Sequence, residues 1–167
     1  MNDKIYNVLF LCTGNSARSI MAEAILNVLG KGRFKAFSAG SNPSGHVQPM
    51  AKELSHSIGY DVGNVRSKNW DEFAREDAPE MDMVITVCDN AAGEACPLWL
   101  GHPALAHWGV ADPVAATGDE GDRRRAYTAA FATLRRRIEL LLSLPLESLD
   151  HLAAQAKLRE IGQVGTE

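Results

Sequence analysis

The chain has 167 residues, 46% of them hydrophobic and 23% charged, a balance that suits one ordinary globular core and excludes a disordered or fibrous chain. Its formal net charge of −4 is the wrong sign for gripping a phosphate backbone, so no nucleic-acid partner is expected. No apolar run approaches the ~20 residues of a bilayer span, and the opening MNDKIYN lacks the apolar core of a signal peptide, so a cytoplasmic chain with no membrane partner is expected.

Short apolar runs alternate with helical spacing, the pattern of an α/β protein whose parallel strands are joined by crossover helices. In chain order, Ile5–Leu11 reads as a strand and Ser19–Leu29 as a helix with Ser19 at its N-cap and Ile20, Ala24 and Val28 on one stripe. Phe34–Ser38 is a second strand, followed by the turn-rich segment from Ala39 to Gly45. Pro49–Ile58 has helical spacing and stops at Gly59, and Trp70–Arg75 is a short helix. Met83–Val87 is a continuous apolar strand, as strands covered on both faces are, and Leu105–Trp108 is a fourth. Asp122–Leu144 carries the stripe Tyr127, Phe131, Leu134, Ile138 and Leu142 and is ended by Pro145. Leu149–Ile161 is an added amphipathic helix or a loosely packed tail. Residues 1–145 are expected to form the catalytic domain and 146–167 a helical or flexible extension of it. The arginine clusters 123–125 and 135–137 read as a solvated, salt-bridged helix face.

The chemistry is concentrated in Cys12-Thr-Gly-Asn-Ser-Ala-Arg18-Ser19, where five residues separate a cysteine from an arginine between a strand end and a helix start. A thiol of ordinary pKa ~8.5 is barely ionised at neutral pH, and catalytic ones are depressed to roughly 3.5–7.5. Orphan amides at a helix N-terminus favour an anion, and a guanidinium adds a charged bidentate fork for a tetrahedral oxyanion. The loop therefore reads as a thiol nucleophile beneath an oxyanion held by Thr13, Gly14, Asn15, Ser16, Ala17 and Arg18. Cys88 and Asp112 also follow strands, and ligands in such sheets bind beyond the strands' carboxyl ends. Asp112 is either a general acid or the opener of an Asp-Pro turn.

Three cysteines suit a reducing compartment and reactive thiols better than a disulfide framework. Cys88 and Cys96 are spaced too widely for a zinc knuckle, and no metal site is expected. Electron count then separates two reactions. Hydrolysing a phosphate ester needs one thiol and returns it unchanged, whereas reducing a pentavalent oxyanion by two electrons turns two thiols into a disulfide. Two further thiols near the same rim favour reduction.

The segment VLFLCTGNSARSIMAEA, with FSAG at 37–40, VITVCDNAAGEACP at 84–97 and HWGVADP at 107–113, resembles the arsenate reductases built on the low-molecular-weight protein tyrosine phosphatase fold, a likeness running from about Asn7 to Leu144. The resemblance implies a three-layer α/β/α fold around a four-stranded parallel sheet and a place in arsenical resistance. It implies that Cys12 attacks arsenate, that Arg18 and the loop amides hold the oxyanion, that Ser19 hydrogen-bonds the thiolate, that Asn15 stiffens the loop, and that Asp112 is the general acid. It further implies that Cys88 attacks Cys12 to release arsenite, that Cys96 then pairs with Cys88, and that thioredoxin reduces the product, with no tightly bound cofactor.

The chain departs from that pattern in three places. Seven residues separate Cys88 from Cys96, where the thioredoxin-coupled members usually place six, so glutathione with glutaredoxin is an alternative donor. Some members bind potassium through groups matching Asn15, Glu23 and Ser38 plus a carboxylate, and here Lys68 stands at the carboxylate's place, either as a substitute cation or as a plain surface lysine. The phosphatase branch follows Asp-Pro with aromatic residues, and this chain has Val114-Ala-Ala-Thr117. Hydrolysis of phosphate monoesters is the alternative activity.

Overall fold

The computed structural model describes residues 4–88 and 102–164. Four strands, β1 (Tyr6–Cys12), β2 (Phe34–Gly40), β3 (Met83–Thr86) and β4 (Ala104–His107), form one sheet in the order β2-β1-β3-β4. Every pairing is parallel, with Leu11 opposite Ala39 on one side and Thr86 on the other. The α/β class and the four-stranded parallel sheet expected from the sequence are both present. β1 is central, and the chain leaves it toward β2 on one side and reaches β3 on the other. The loop after β1 therefore lies at the topological switch point, where such sheets open a crevice beyond their strand ends.

Among the described residues four α-helices accompany the sheet: α1 (Arg18–Leu29), α2 (Pro49–Ser57), α3 (Glu120–Leu142) and α4 (His151–Ile161). Alternation along the strands splits the core in two. Val8, Phe10, Met83 and Ile85 face the larger cluster with Met21, Ile25, Leu134 and Ile138 from α1 and α3. Leu9, Leu11 and Val84 face the smaller one, covered by Trp70 and Met81 with Phe37 and Phe73 at its margin. The short helix expected at Trp70–Arg75 is a 3₁₀ turn, Trp70–Phe73, capped by the Asn69 side chain accepting from Asp71 N. α3 opens with a capping box between Asp119 and Asp122, which places its start two residues before the sequence expectation.

Two features of the helices differ from the sequence reading. Ser19 does not cap α1: the N-cap is Ala17, with no side-chain cap bond, because the Ser19 hydroxyl is turned onto Cys12. Nor is the 135–137 cluster wholly solvated. Arg135 and Arg136 are exposed, but Arg137 is fully buried, three residues after Leu134 and four before Leu141, on the helix's core-facing stripe.

The C-terminal segment is ordered against the sheet. α4 is capped by Asp150, buries Leu158 and Ile161 in the larger cluster, and receives the Trp108 indole N–H at Leu158 O, 2.8 Å. β4 is an edge strand whose outward Leu105 N–H donates to Gln155 Oε1 (2.9 Å) and whose Leu105 carbonyl accepts from Arg159 Nε (3.3 Å). Gly162 touches the strand end so closely that a Cβ there would collide with His107 O. No helix among the described residues is long and apolar enough to cross a membrane.

Candidate active site

Cys12 is the last residue of β1 and Arg18 the first of α1, so the intervening residues form a turn with no length to spare. Its carbonyls point outward: Thr13 O accepts from Asn42 N (2.9 Å), Gly14 O from Ser44 N (3.0 Å) and Ser67 Oγ (3.1 Å), and Ser16 O from Gln48 N (2.9 Å). In a planar trans peptide the next residue's N–H points opposite to the carbonyl. The amides of Gly14, Asn15 and Ala17 are thereby aimed at the loop's interior, and the Asn15 N–H donates to Cys12 Sγ at 3.2 Å. Gly40, at the end of β2, lies beneath this loop. A Cβ there would collide with Thr13 O and lie 2.8 Å from Cys12 O, so only bare backbone fits.

Asn15 locks the loop. Its backbone is left-handed, with φ of 46°, a region asparagine tolerates better than most side chains. Its Oδ1 accepts from Lys68 N (2.9 Å), which fixes the amide so that Nδ2 donates to Ser19 Oγ at 2.8 Å. The Ser19 hydroxyl, occupied as an acceptor, has its own proton free for Cys12 Sγ at 2.9 Å. The neighbours of the sulfur thus favour its anionic form, but burial opposes them and is the larger effect, so the Cys12 thiol is pushed above its ordinary value. The Arg18 guanidinium is engaged at the rim, with Nη1 donating to Val110 O at 2.8 Å and Nη2 3.6 Å from Asp112 Oδ2.

Asp112 opens the Asp-Pro turn and also faces the arginine of the loop. Its Oδ1 accepts from Val114 N at 3.0 Å, opening the 3₁₀ turn Pro113–Ala115, while Oδ2 faces Arg18. Val114 on this turn is 45% exposed, so the rim carries an aliphatic side chain where a ring-binding site would place an aromatic one.

Cys88 lies two residues beyond β3, at the strand end beside β1. Its buried thiol accepts from the Thr13 backbone N–H at 3.2 Å and lies 3.6 Å from Thr13 Oγ1, so the second thiol touches the residue that follows the first. Cys96 lies outside the described residues. Of the residues picked out in the sequence, the structure gathers Cys12 through Ser19, Cys88 and Asp112 at one edge of the sheet.

A second layer behind the loop was only partly legible. Lys68 Nζ donates to Arg66 O (3.0 Å) and lies 3.5 Å from Ser38 Oγ and 3.9 Å from Glu23 Oε1. Burial lowers the Lys68 pKa, and the Glu23 carboxylate works against that. Ser38 Oγ donates to Glu23 Oε1 (2.8 Å) and Tyr60 OH to Oε2 (2.7 Å), and burial beside that carboxylate pushes the Tyr60 phenol up. The Lys68 ammonium stands against the hydrogen-bonded Glu23–Ser38 pair, where a bound cation would have to lie, so these residues do not fit a potassium ion. Among the described residues, no group of three or more His, Cys, Asp or Glu is placed to hold a metal. Tyr60 and the Val110 carbonyl were missed because neither has a sequence signature. Lys68 was noticed for its side chain, while its backbone N–H is what holds Asn15.

A strand-end cysteine, a ring of inward amides and an arginine facing an aspartate define a thiol-dependent oxyanion site on a parallel sheet. The chain belongs to the low molecular weight phosphotyrosine protein phosphatase family, whose model matches residues 7–156. Among its relatives, the arsenate reductase of Bacillus subtilis (strain 168) is 37% identical over 123 residues, 74% of this chain and 84% of the relative. That of Halalkalibacterium halodurans is 32% identical over 139 residues, 83% of this chain and 95% of the relative. A solved structure described as an arsenate reductase in the phosphate binding state is 26% identical, covers 83% of this chain and 98% of its own, and superposes with a TM-score of 0.63.

Proposed function

We propose that this chain reduces arsenate to arsenite by a thiol relay, and the observation that carries the reading is the hydrogen bond from Thr13 N to Cys88 Sγ. Phosphate ester hydrolysis has no use for a second thiol at the nucleophile loop; a two-electron reduction requires one. Similarity to arsenate reductases over most of the chain supports the same reading.

Arsenate, held by Arg18 and the inward amides of Gly14, Asn15 and Ala17, is attacked at arsenic by Cys12 Sγ. One arsenic-bound hydroxyl leaves as water with a proton delivered by Asp112, which the thiol's own proton replaces. Ser19 and the Asn15 amide stabilise negative charge on sulfur as the bond forms. Cys88 then attacks Cys12 Sγ; the sulfur–sulfur bond forms, the sulfur–arsenic pair stays on arsenic, and arsenic(V) departs as arsenic(III). Cys96 attacks Cys88, frees Cys12 and leaves a disulfide that an external dithiol reduces. The donor is thioredoxin or glutathione with glutaredoxin, and the reaction belongs in a reducing cytoplasm. Lys68 supplies the positive charge behind the loop, so turnover is indifferent to potassium; a loss of activity on exchanging potassium for a large organic cation would overturn that role.

Arsenate-dependent consumption of reductant, measured beside aryl phosphate hydrolysis, tests the relay. Cys12→Ser loses both activities. Cys88→Ser loses reduction and keeps hydrolysis, which needs Cys12 alone. Full reductive turnover in Cys88→Ser would overturn the proposal.

A further inference from the structure

The guanidinium of Arg137 is fully buried, and the reaction makes no direct use of it. It joins two segments distant in sequence: Nε donates to Val164 O (2.9 Å) and Nη1 to Gly109 O (3.0 Å), while Nη2 has no hydrogen-bond partner among the described residues. Burying a cation is costly, and an apolar side chain of similar length would pack the same stripe of α3 without that cost. What a methionine or leucine lacks is a rigid fork that reaches carbonyls on two segments at once.

The position of those carbonyls gives the fork its meaning. Gly109 is followed by Val110, whose carbonyl accepts from Arg18 Nη1 at 2.8 Å, and then by Asp112, which faces Arg18 Nη2. The Val110 N–H donates to Val87 O, the residue before Cys88. On the preceding side, Trp108 is tied to α4 through Leu158 O. The segment from Trp108 to Asp112 is therefore held from behind by α3 and the chain after α4, and from in front by the side chain that grips the oxyanion.

We propose that Arg137 is a positioning residue: by pinning Gly109 O to Val164 O it sets the Val110 carbonyl, and through it the direction in which Arg18 presents its guanidinium to the oxyanion. This rests on the reading of Arg18 as an oxyanion ligand. It assigns the segment beyond α3 a part in substrate binding although none of its described residues is bonded to the loop.

The test compares wild type, Arg137→Met and Arg137→Lys for protection of Cys12 from iodoacetamide by inorganic phosphate, with thermal midpoints measured alongside. Phosphate is expected to bind about tenfold more weakly to Arg137→Met, the scale of effect seen when a binding group is displaced by a fraction of an ångström. Alkylation without phosphate should stay within about twofold, since Cys12 is held by Ser19 and Asn15 and the difference is under half a kcal/mol. Arg137→Lys, which keeps the charge but not the fork, should fall between. A folded Arg137→Met with a lowered midpoint and unchanged phosphate affinity makes the residue structural only and overturns the proposal. Should Arg137→Met fail to fold, Arg137→Lys decides alone: a several-fold loss supports the proposal and wild-type affinity overturns it. Wild-type protein unprotected by phosphate and by arsenate would instead remove the oxyanion reading, and this inference with it.

Discussion

Cys12 is caught between burial, which holds its proton, and two hydrogen bonds that would help remove it. The net direction is upward, so the reactive thiolate fraction grows as pH rises through the ordinary thiol range and beyond it. Alkylation of Cys12 is accordingly expected to climb steadily from about pH 6 to about pH 9 rather than reach an early plateau. Ser19 is the largest of the opposing influences. Removing its hydroxyl in Ser19→Ala should slow alkylation at neutral pH at least about tenfold, since a hydrogen bond to a charged group contributes roughly 1.5–3 kcal/mol. A Ser19→Ala rate equal to wild type would assign the hydroxyl to Asn15 rather than to the sulfur. The sequence already placed a thiol, an arginine and a serine here. It did not disclose that the guanidinium would be turned toward Val110 and Asp112, because a backbone carbonyl of a distant loop leaves no mark in the residue string.

Among the elements, β4 and α4 depend on each other. An edge strand with open N–H and C=O groups invites pairing with another chain, and here Gln155 and Arg159 take both groups of Leu105. Leu105 itself is 45% exposed and Leu152 on α4 is 74% exposed, so opening this edge would join unpaired backbone to apolar surface. The double variant Gln155→Ala, Arg159→Ala is expected to self-associate at concentrations where wild type sediments as a single species. A monodisperse variant over the same range would show that packing of α4 alone protects the edge. The strands were legible because buried parallel strands are near-continuous apolar runs, as in Val8–Leu11 and Met83–Ile85. α3 was legible in its stripe but not in Arg137. Three arginines in a row look like one solvated patch, and only the count from Leu134 and to Leu141 puts the third of them inward.

For the whole molecule, α4 shares a core with the sheet: Leu158 and Ile161 lie in the same cluster as Phe10, Ile85 and Leu134. Elements that share a core cluster generally unfold in a single step. Amide exchange in α4 and the near-ultraviolet signal of buried Trp108 should therefore be lost at one denaturant midpoint. Loss of α4 protection well before Trp108 would make the extension a separately stable appendage. Gly40 bears on stability as well. Its Cβ-free contact with Thr13 O lets the loop lie on β2, and Gly40→Ala is expected to cost about 1–3 kcal/mol, the usual penalty for forcing atoms into a filled interior, read as a fall in thermal midpoint.

The acceptors around Arg137 are main-chain oxygens, and these do not take up protons in the range where carboxylates do. Arg18 and Lys68 face carboxylates, whereas among the described residues the bonds of Arg137 run to main-chain oxygens alone. Added salt screens the part-exposed ion pair at the rim far more than the buried clasp, so rising ionic strength should loosen the front of the crevice while the rear stays fastened.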